Sequence, residues 1–167
     1  SYHDPLTDLA NRRMLLERLH GEWDLAQARG TPLAFVLFDL DSFKAYNDKR
    51  GHLAGDDCLR EIGRRIDAEL RKPNDTAGRY GGEEFGVVLP GQTLEEALRT
   101  AERIRRAVEQ ADLPHPGTPQ GVVTISVGVA SMMPRAGFSA ELLIAAADAA
   151  LYRAKAGGKN RVEAASS

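Results

Sequence analysis

The 167 residues hold a single cysteine, Cys58, so neither an intrachain disulfide nor a thiolate metal cluster can form. Long hydrophobic runs are missing too. The longest clean one, Leu33 to Phe38, falls far short of the roughly 20 residues that span a bilayer. The opening Ser1–Asn11 is polar and does not read as a secretory signal. Neither sign of charge dominates: 22 basic against 24 acidic residues give a net charge of −2, which argues against a grip on a nucleic-acid polymer. No repeat or low-complexity tract occurs, and no phosphate-loop, dinucleotide or zincin motif. No Ser or Cys has the context of a nucleophile. These absences set aside a disulfide-stapled module, a membrane span, direct membrane contact and several enzyme classes. A cytoplasmic location is expected, in a protein on its own or as the cytoplasmic part of a membrane-anchored parent. Both ends look trimmed, so one domain over 1–167, cut from a longer multidomain parent, is expected.

What is present is a soluble globular balance, 43% hydrophobic and 28% charged. Leu15, Leu19, Trp23 and Ala26 recur at spacings of four and three, which predicts a helix over about Asn11 to Arg29, ended by Gly30 and Pro32. Leu33 to Phe38 is short and wholly apolar, the pattern of a central strand buried on both faces. A short helix near Ser42–Asn47 and a longer one from about Ala54 follow. Thr76–Tyr80 and Glu83–Leu89 read as two strands joined by a tight Gly81-Gly82 turn whose glycines supply positive φ. Thr93 and Glu96 form a capping box that opens a helix to about Ala111. Val122–Ser131 reads as a strand, Ser139 caps a helix through Ala156, and Arg161–Ala164 is an edge strand. The fold class is therefore α/β (α+β), one mixed, mostly antiparallel sheet flanked by helices, close to the split βαβ pattern.

Three polar clusters stand out. Asp39 and Asp41 alternate at the end of the buried strand, so both carboxylates share a face. Such a pair suits a hard divalent cation, or one of them caps the next helix. Glu83 and Glu84 follow the Gly-Gly turn, where bare backbone admits a ligand and a carboxylate can hold metal or act as base; solvated acids after a turn are the plainer reading. Lys44, Asn47, Asp48, Gly51, His52, Gly55 and Asp56 could bind a phosphate and a polar ring, or form an ordinary polar loop. Cys58 and Trp23 read as packing residues.

Taken together, these residues resemble a known family. Gly81-Gly82-Glu83-Glu84-Phe85 is similar to the signature of the GGDEF diguanylate cyclases in its Glu variant. Phe38-Asp39-Leu40-Asp41-Ser42-Phe43-Lys44-Ala45-Tyr46-Asn47-Asp48, with Gly51-His52 and Gly55-Asp56 after it, is similar to that family's metal and nucleotide segment. Asp4-Pro5-Leu6-Thr7 and Asn11-Arg12-Arg13 resemble its N-terminal motif, with Asp8 where Gly is usual. Leu151-Tyr152-Arg153-Ala154-Lys155 and Gly158-Lys159-Asn160-Arg161 resemble its C-terminal end.

The resemblance implies a fold like nucleotidyl cyclase and polymerase palms. It also implies the condensation of two GTP into cyclic di-GMP and two pyrophosphates across a transient or regulated homodimer, in a parent with an upstream sensory domain. By the same resemblance Asp39, the Leu40 carbonyl and Glu83, with Glu84 close by, bind Mg²⁺ or Mn²⁺, and Glu83 is the catalytic base. Lys44, Lys155 and Arg79 meet phosphates, Asn47 and Asp56 read guanine, and His52 lines the nucleotide site. A catalytically inactive GTP-binding regulatory module is the alternative, and another nucleotidyl transferase is a third. Many relatives carry an Arg-x-x-Asp product-inhibition motif. Here that window reads Lys72-Pro73-Asn74-Asp75, a degenerate version, and the neighbouring Arg71 is expected to point elsewhere.

Overall fold

The computed structural model describes residues 1–166. Asn11 caps the first helix, α1 (Arg12–Arg29), by accepting from the Met14 N–H, and Gly30 ends it in the left-handed region at φ 67°. Then come β1 (Leu33–Leu40), α2 (Phe43–Arg50), α3 (His52–Ala68), β2 (Thr76–Arg79) and β3 (Glu84–Pro90). The chain continues through α4 (Leu94–Gln110), β4 (Ile125–Met132), α5 (Ala140–Ala156) and β5 (Val162–Ala164). The order expected from Leu33 onward holds. The Thr93–Glu96 capping box is present in both directions.

Several boundaries differ, each for a local reason. α3 begins at His52 rather than near Ala54, directly after Gly51 turns the chain at φ 89°. β4 begins at Ile125 because Val122 and Val123 pair with a loop instead: Val122 bridges Pro114, and the Val123 N–H donates to the Leu113 carbonyl. Ser139 stands at the N-cap of α5, but its side chain makes no capping bond. Gly81 and Gly82 do not adopt positive φ, so the tight two-residue turn does not form. Instead the Tyr80 and Gly81 N–H groups both donate to the Glu84 carbonyl across a wider turn.

The sheet order is β2-β3-β1-β4-β5. β1 lies antiparallel to both β3 and β4, β2 antiparallel to β3, and β5 parallel to β4. Every residue of β1 is buried. Ala34, Val36, Phe38 and Leu40 pack with α3 and α4 on one face, while Leu33, Phe35 and Leu37 pack with α1 and α5 on the other. A strand covered on both faces explains the unbroken apolar run. Gly128 sets how α5 lies on this sheet. A Cβ there would stand 2.2 Å from the Ala147 carbonyl oxygen and 2.3 Å from the Leu151 nitrogen, so only glycine lets the helix backbone seat on β4. That seating carries Lys155, one turn beyond Leu151, to the end of β1.

Candidate active site

The carboxylates gather where β1 ends. Asp39 is the direct register partner of Glu84, and opposite residues on antiparallel strands point to one face. The Leu40 N–H donates to the Glu83 carbonyl at 3.2 Å, which ties the turn to the strand end. Asp39 is buried and forms an ion pair with Lys155 from α5. Burial pushes the Asp39 carboxyl above the usual range, its bond to Lys155 opposes this, and the nearby Glu83 and Asp41 charges add to the rise. Glu84 is likewise raised, first by burial and then by Asp39, with Asp148 of α5 adding to it. Desolvated, mutually repelling carboxylates are a pattern of functional sites.

Asp41 departs from both expectations for it. Its carboxylate accepts from Thr124 Oγ1 at 2.7 Å, Ser126 Oγ at 2.6 Å and the Asn160 N–H at 3.0 Å. Three donors leave it committed as an anchor between β1, β4 and the 157–161 turn, so it is neither a free metal ligand nor the cap of α2. As placed, no three Asp, Glu, His or Cys groups among the described residues converge on one metal position. The oxygen-only donor set at the end of β1 nonetheless matches a hard divalent cation in kind.

Beside this cluster lies a cleft of about 490 Å³, inside the usual range for small-molecule sites. Lys44, Asn47 and Asp48 of α2 line it, with His52 and Asp56 of α3, Arg79 at the end of β2 and Glu83 from the β2–β3 turn. His52 and Asp56 share a face because they stand one helical turn apart. Asn47 lies against Gly55: a Cβ on Gly55 would come within 1.9 Å of Asn47 Oδ1, so Asn47 keeps this position only beside a glycine. That Oδ1 is buried and has no hydrogen-bond partner. An unpaired buried acceptor costs stability and is characteristic of sites kept for a ligand. A Cβ on Gly82 would meet nothing within 4 Å, so backbone is open to a ligand there.

The fold thus brings Lys44, Asn47, His52, Asp56, Arg79 and Glu83 to one cleft, with Asp39, Leu40 and Glu84 at its side and Lys155 on Asp39. Arg79 also makes contacts within the protein. Its Nη1 is 3.3 Å from Asp4 Oδ1, and its Nε and Nη2 donate to the Gly82 carbonyl at 3.1 and 2.8 Å. It braces the turn against the N-terminal segment while lining the cleft. Asp4 in turn accepts from the Thr7 N–H and hydroxyl, which accounts for the Asp4–Thr7 motif. Asp8 adopts φ 61°, a conformation that favours Gly and that Asp tolerates.

Some contributors escaped the sequence. Phe43 and Leu59 also line the cleft, but their apolar spacing reads as core. Asp148, Thr124 and Ser126 carry no motif. Lys72 and Asp75 lie elsewhere, in a depression of about 180 Å³ shared with Arg71, Gln92, Arg99 and Arg103. Arg71 therefore does share that hollow, because residues 71–75 form a turn rather than a helix that would swing it away.

A family model described as "Diguanylate cyclase, GGDEF domain" matches residues 1–161. Diguanylate cyclase DosC of Escherichia coli (strain K12) is 41% identical over 160 residues, covering 96% of this chain and 34% of DosC. The GGDEF domain of DgcB from Caulobacter crescentus, solved in complex with c-di-GMP, superposes with a TM-score of 0.91 at 37% identity, covering 100% of this chain and 97% of that one. Diguanylate cyclase SiaD from Pseudomonas aeruginosa, solved with its activator SiaC, gives a TM-score of 0.86 at 41% identity, covering 99% and 62%. The chain spans about a third of DosC's length.

Proposed function

Since the chain belongs to the GGDEF-domain diguanylate cyclase family, we propose that it condenses two GTP molecules into cyclic di-GMP and two pyrophosphates. The observation that carries this reading is the convergence of Lys44, Asn47, His52, Asp56 and Glu83 on one cleft beside the Asp39–Glu84 carboxylate pair. Each subunit holds one GTP, and two subunits face each other. Asp56, with Asn47, reads the guanine edge, while Lys44 and Lys155 meet the phosphates. Asp39, the Leu40 carbonyl and Glu83, with Glu84 adjacent, would hold Mg²⁺ or Mn²⁺, which neutralises phosphate charge during transfer.

Lys155 lies where a cation is wanted and pairs with Asp39. Its exchange to phosphate on nucleotide binding would free the carboxylate. Glu83 accepts the 3′-hydroxyl proton as that oxygen bonds to the α-phosphorus of the facing GTP and the bond to pyrophosphate breaks. Among the described residues no helix is long and apolar enough to cross a membrane.

The dimer requirement gives the test. Two loaded half-sites must meet, and a C₂ pair is the natural arrangement. Synthesis per subunit is expected to fall steeply as the protein is diluted from micromolar to nanomolar. Synthesis per subunit that stays flat over that range would point to a tight constitutive dimer, and none at any concentration would refute the reading.

Product feedback at the Lys72–Asp75 depression is expected to be weak. Lys72 offers a point charge where Arg offers a planar fork, and Arg103 is already held by Glu69 at 3.0 Å, so any fork would have to come from Arg71 or Arg99 at other positions of the hollow. Titration of cyclic di-GMP by calorimetry, with Lys72→Arg alongside, checks this. Submicromolar binding by the natural sequence that vanishes in Asp75→Ala would contradict it.

A further inference from the structure

We infer that His115 is a positioning residue for the nucleotide site: it latches the turn at Ser42 and so sets how α2 leaves β1. Ser42 is the N-cap of α2 and adopts φ 56°, ψ 38°, a left-handed conformation that L side chains rarely take. Its own side chain caps nothing. A turn of this kind persists only when its surroundings hold it. It is also critical in place, since Leu40 lies two residues before it, Lys44 two after and Asn47 five after.

The restraint comes from outside the segment. His115 is 2% exposed, and its Nε2 lies 3.0 Å from the Ser42 carbonyl oxygen. The Gly117 N–H donates to His115 Nδ1 at 3.0 Å. A backbone N–H can only donate, so Nδ1 is the acceptor and the ring proton sits on Nε2. His115 therefore donates to Ser42, whose carbonyl also accepts from the Tyr46 N–H in the first turn of α2. The Tyr46 ring meets the imidazole edge-on at 5.2 Å between centroids and stacks with Phe43. The loop is pressed against α2 so closely that a Cβ on Gly117 would stand 2.9 Å from Ala45 Cβ. Its other end is tied to the start of β4, because the His115 N–H donates to the Gly121 carbonyl and the Val123 N–H to that of Leu113. The Leu113–Val123 segment thus bridges β4 to the one turn that relates the carboxylate pole of the site to Lys44 and Asn47.

This inference rests on the proposed nucleotide cleft, and the test separates the two. His115→Phe keeps the ring but removes the donor, whereas His115→Gln places an amide N–H where Nε2 stands. The KM for GTP is expected to rise about tenfold in His115→Phe with kcat changed less than threefold, because misplacement of α2 weakens binding. His115→Gln should return KM to within about threefold of the natural protein. Amide exchange at Tyr46 should quicken in the Phe variant and stay slow in the Gln variant, while α5 amides are unaffected. A His115→Phe protein with unaltered KM would overturn the latch. So would equal KM and stability losses in both variants, the result for a packing role alone. Failure of the natural protein to bind a non-hydrolysable GTP analogue would instead overturn the cleft, and the latch's role in nucleotide binding with it.

Discussion

Glu83→Gln is expected to abolish cyclic di-GMP synthesis, by on the order of 10³-fold or more, in a protein that still folds. The fold should survive because Glu83 lies in the wide turn after β2, partly exposed, and no core cluster uses its side chain. The backbone bond from Leu40 to the Glu83 carbonyl is unaffected by the change. The amide removes a metal charge and the proposed base at one stroke. It also relieves repulsion, since Glu83 is one of the charges that raise Asp39 and Glu84. Thermal stability should therefore hold or rise slightly while synthesis disappears. Parallel melting and product assays check this, and near-normal synthesis by the folded variant would sink the assignment.

GTP should bind far more tightly than ATP, by roughly 10- to 100-fold, and Asp56 should carry much of the difference. A carboxylate can accept from guanine's N1–H and N2–H₂. Adenine presents neither donor on that edge, so the acid would be left unpaired. Asn47 belongs to the same preference, and its position depends on Gly55 having no side chain. Competition of ATP against a labelled GTP analogue measures the ratio. In Asp56→Ala the ratio should shrink toward unity, mostly through lost GTP affinity. Equal binding of the two nucleotides by the natural protein would contradict the reading.

Much of this architecture was legible in the order of residues. The apolar run Leu33–Phe38 has no polar face, so it had to be central, and it is. The capping box and the helical stripes are local signals with local causes, and they held. Boundaries slipped where a tertiary partner decided them. Val122 and Val123 have strand character but pair with Pro114 and Leu113, which no periodicity reveals. Gly81 and Gly82 suggest a left-handed turn, whereas neither adopts positive φ and Gly82 instead supplies bare backbone at the cleft. In the site, alternation placed Asp39 and Asp41 together in kind but not in role. Asp41 is claimed by Thr124, Ser126 and Asn160, all more than eighty residues away in the chain. The pairing of Arg79 with Asp4 is also hidden from the sequence, since 75 positions separate them. His115 was invisible for the same reason. Its role comes from meeting a strained Ser42 across the fold, and a lone histidine in a Pro-Gly loop carries no motif.

The identity of the product separates a cyclase from a module that only binds GTP. The purified domain, incubated at micromolar concentration with GTP and Mg²⁺, is separated by chromatography and the product identified by mass. Cyclic di-GMP is expected, with one pyrophosphate released per GTP consumed and no product when the metal is chelated. GTP bound but unchanged, or converted to a mononucleotide cyclic product, would contradict the proposed function.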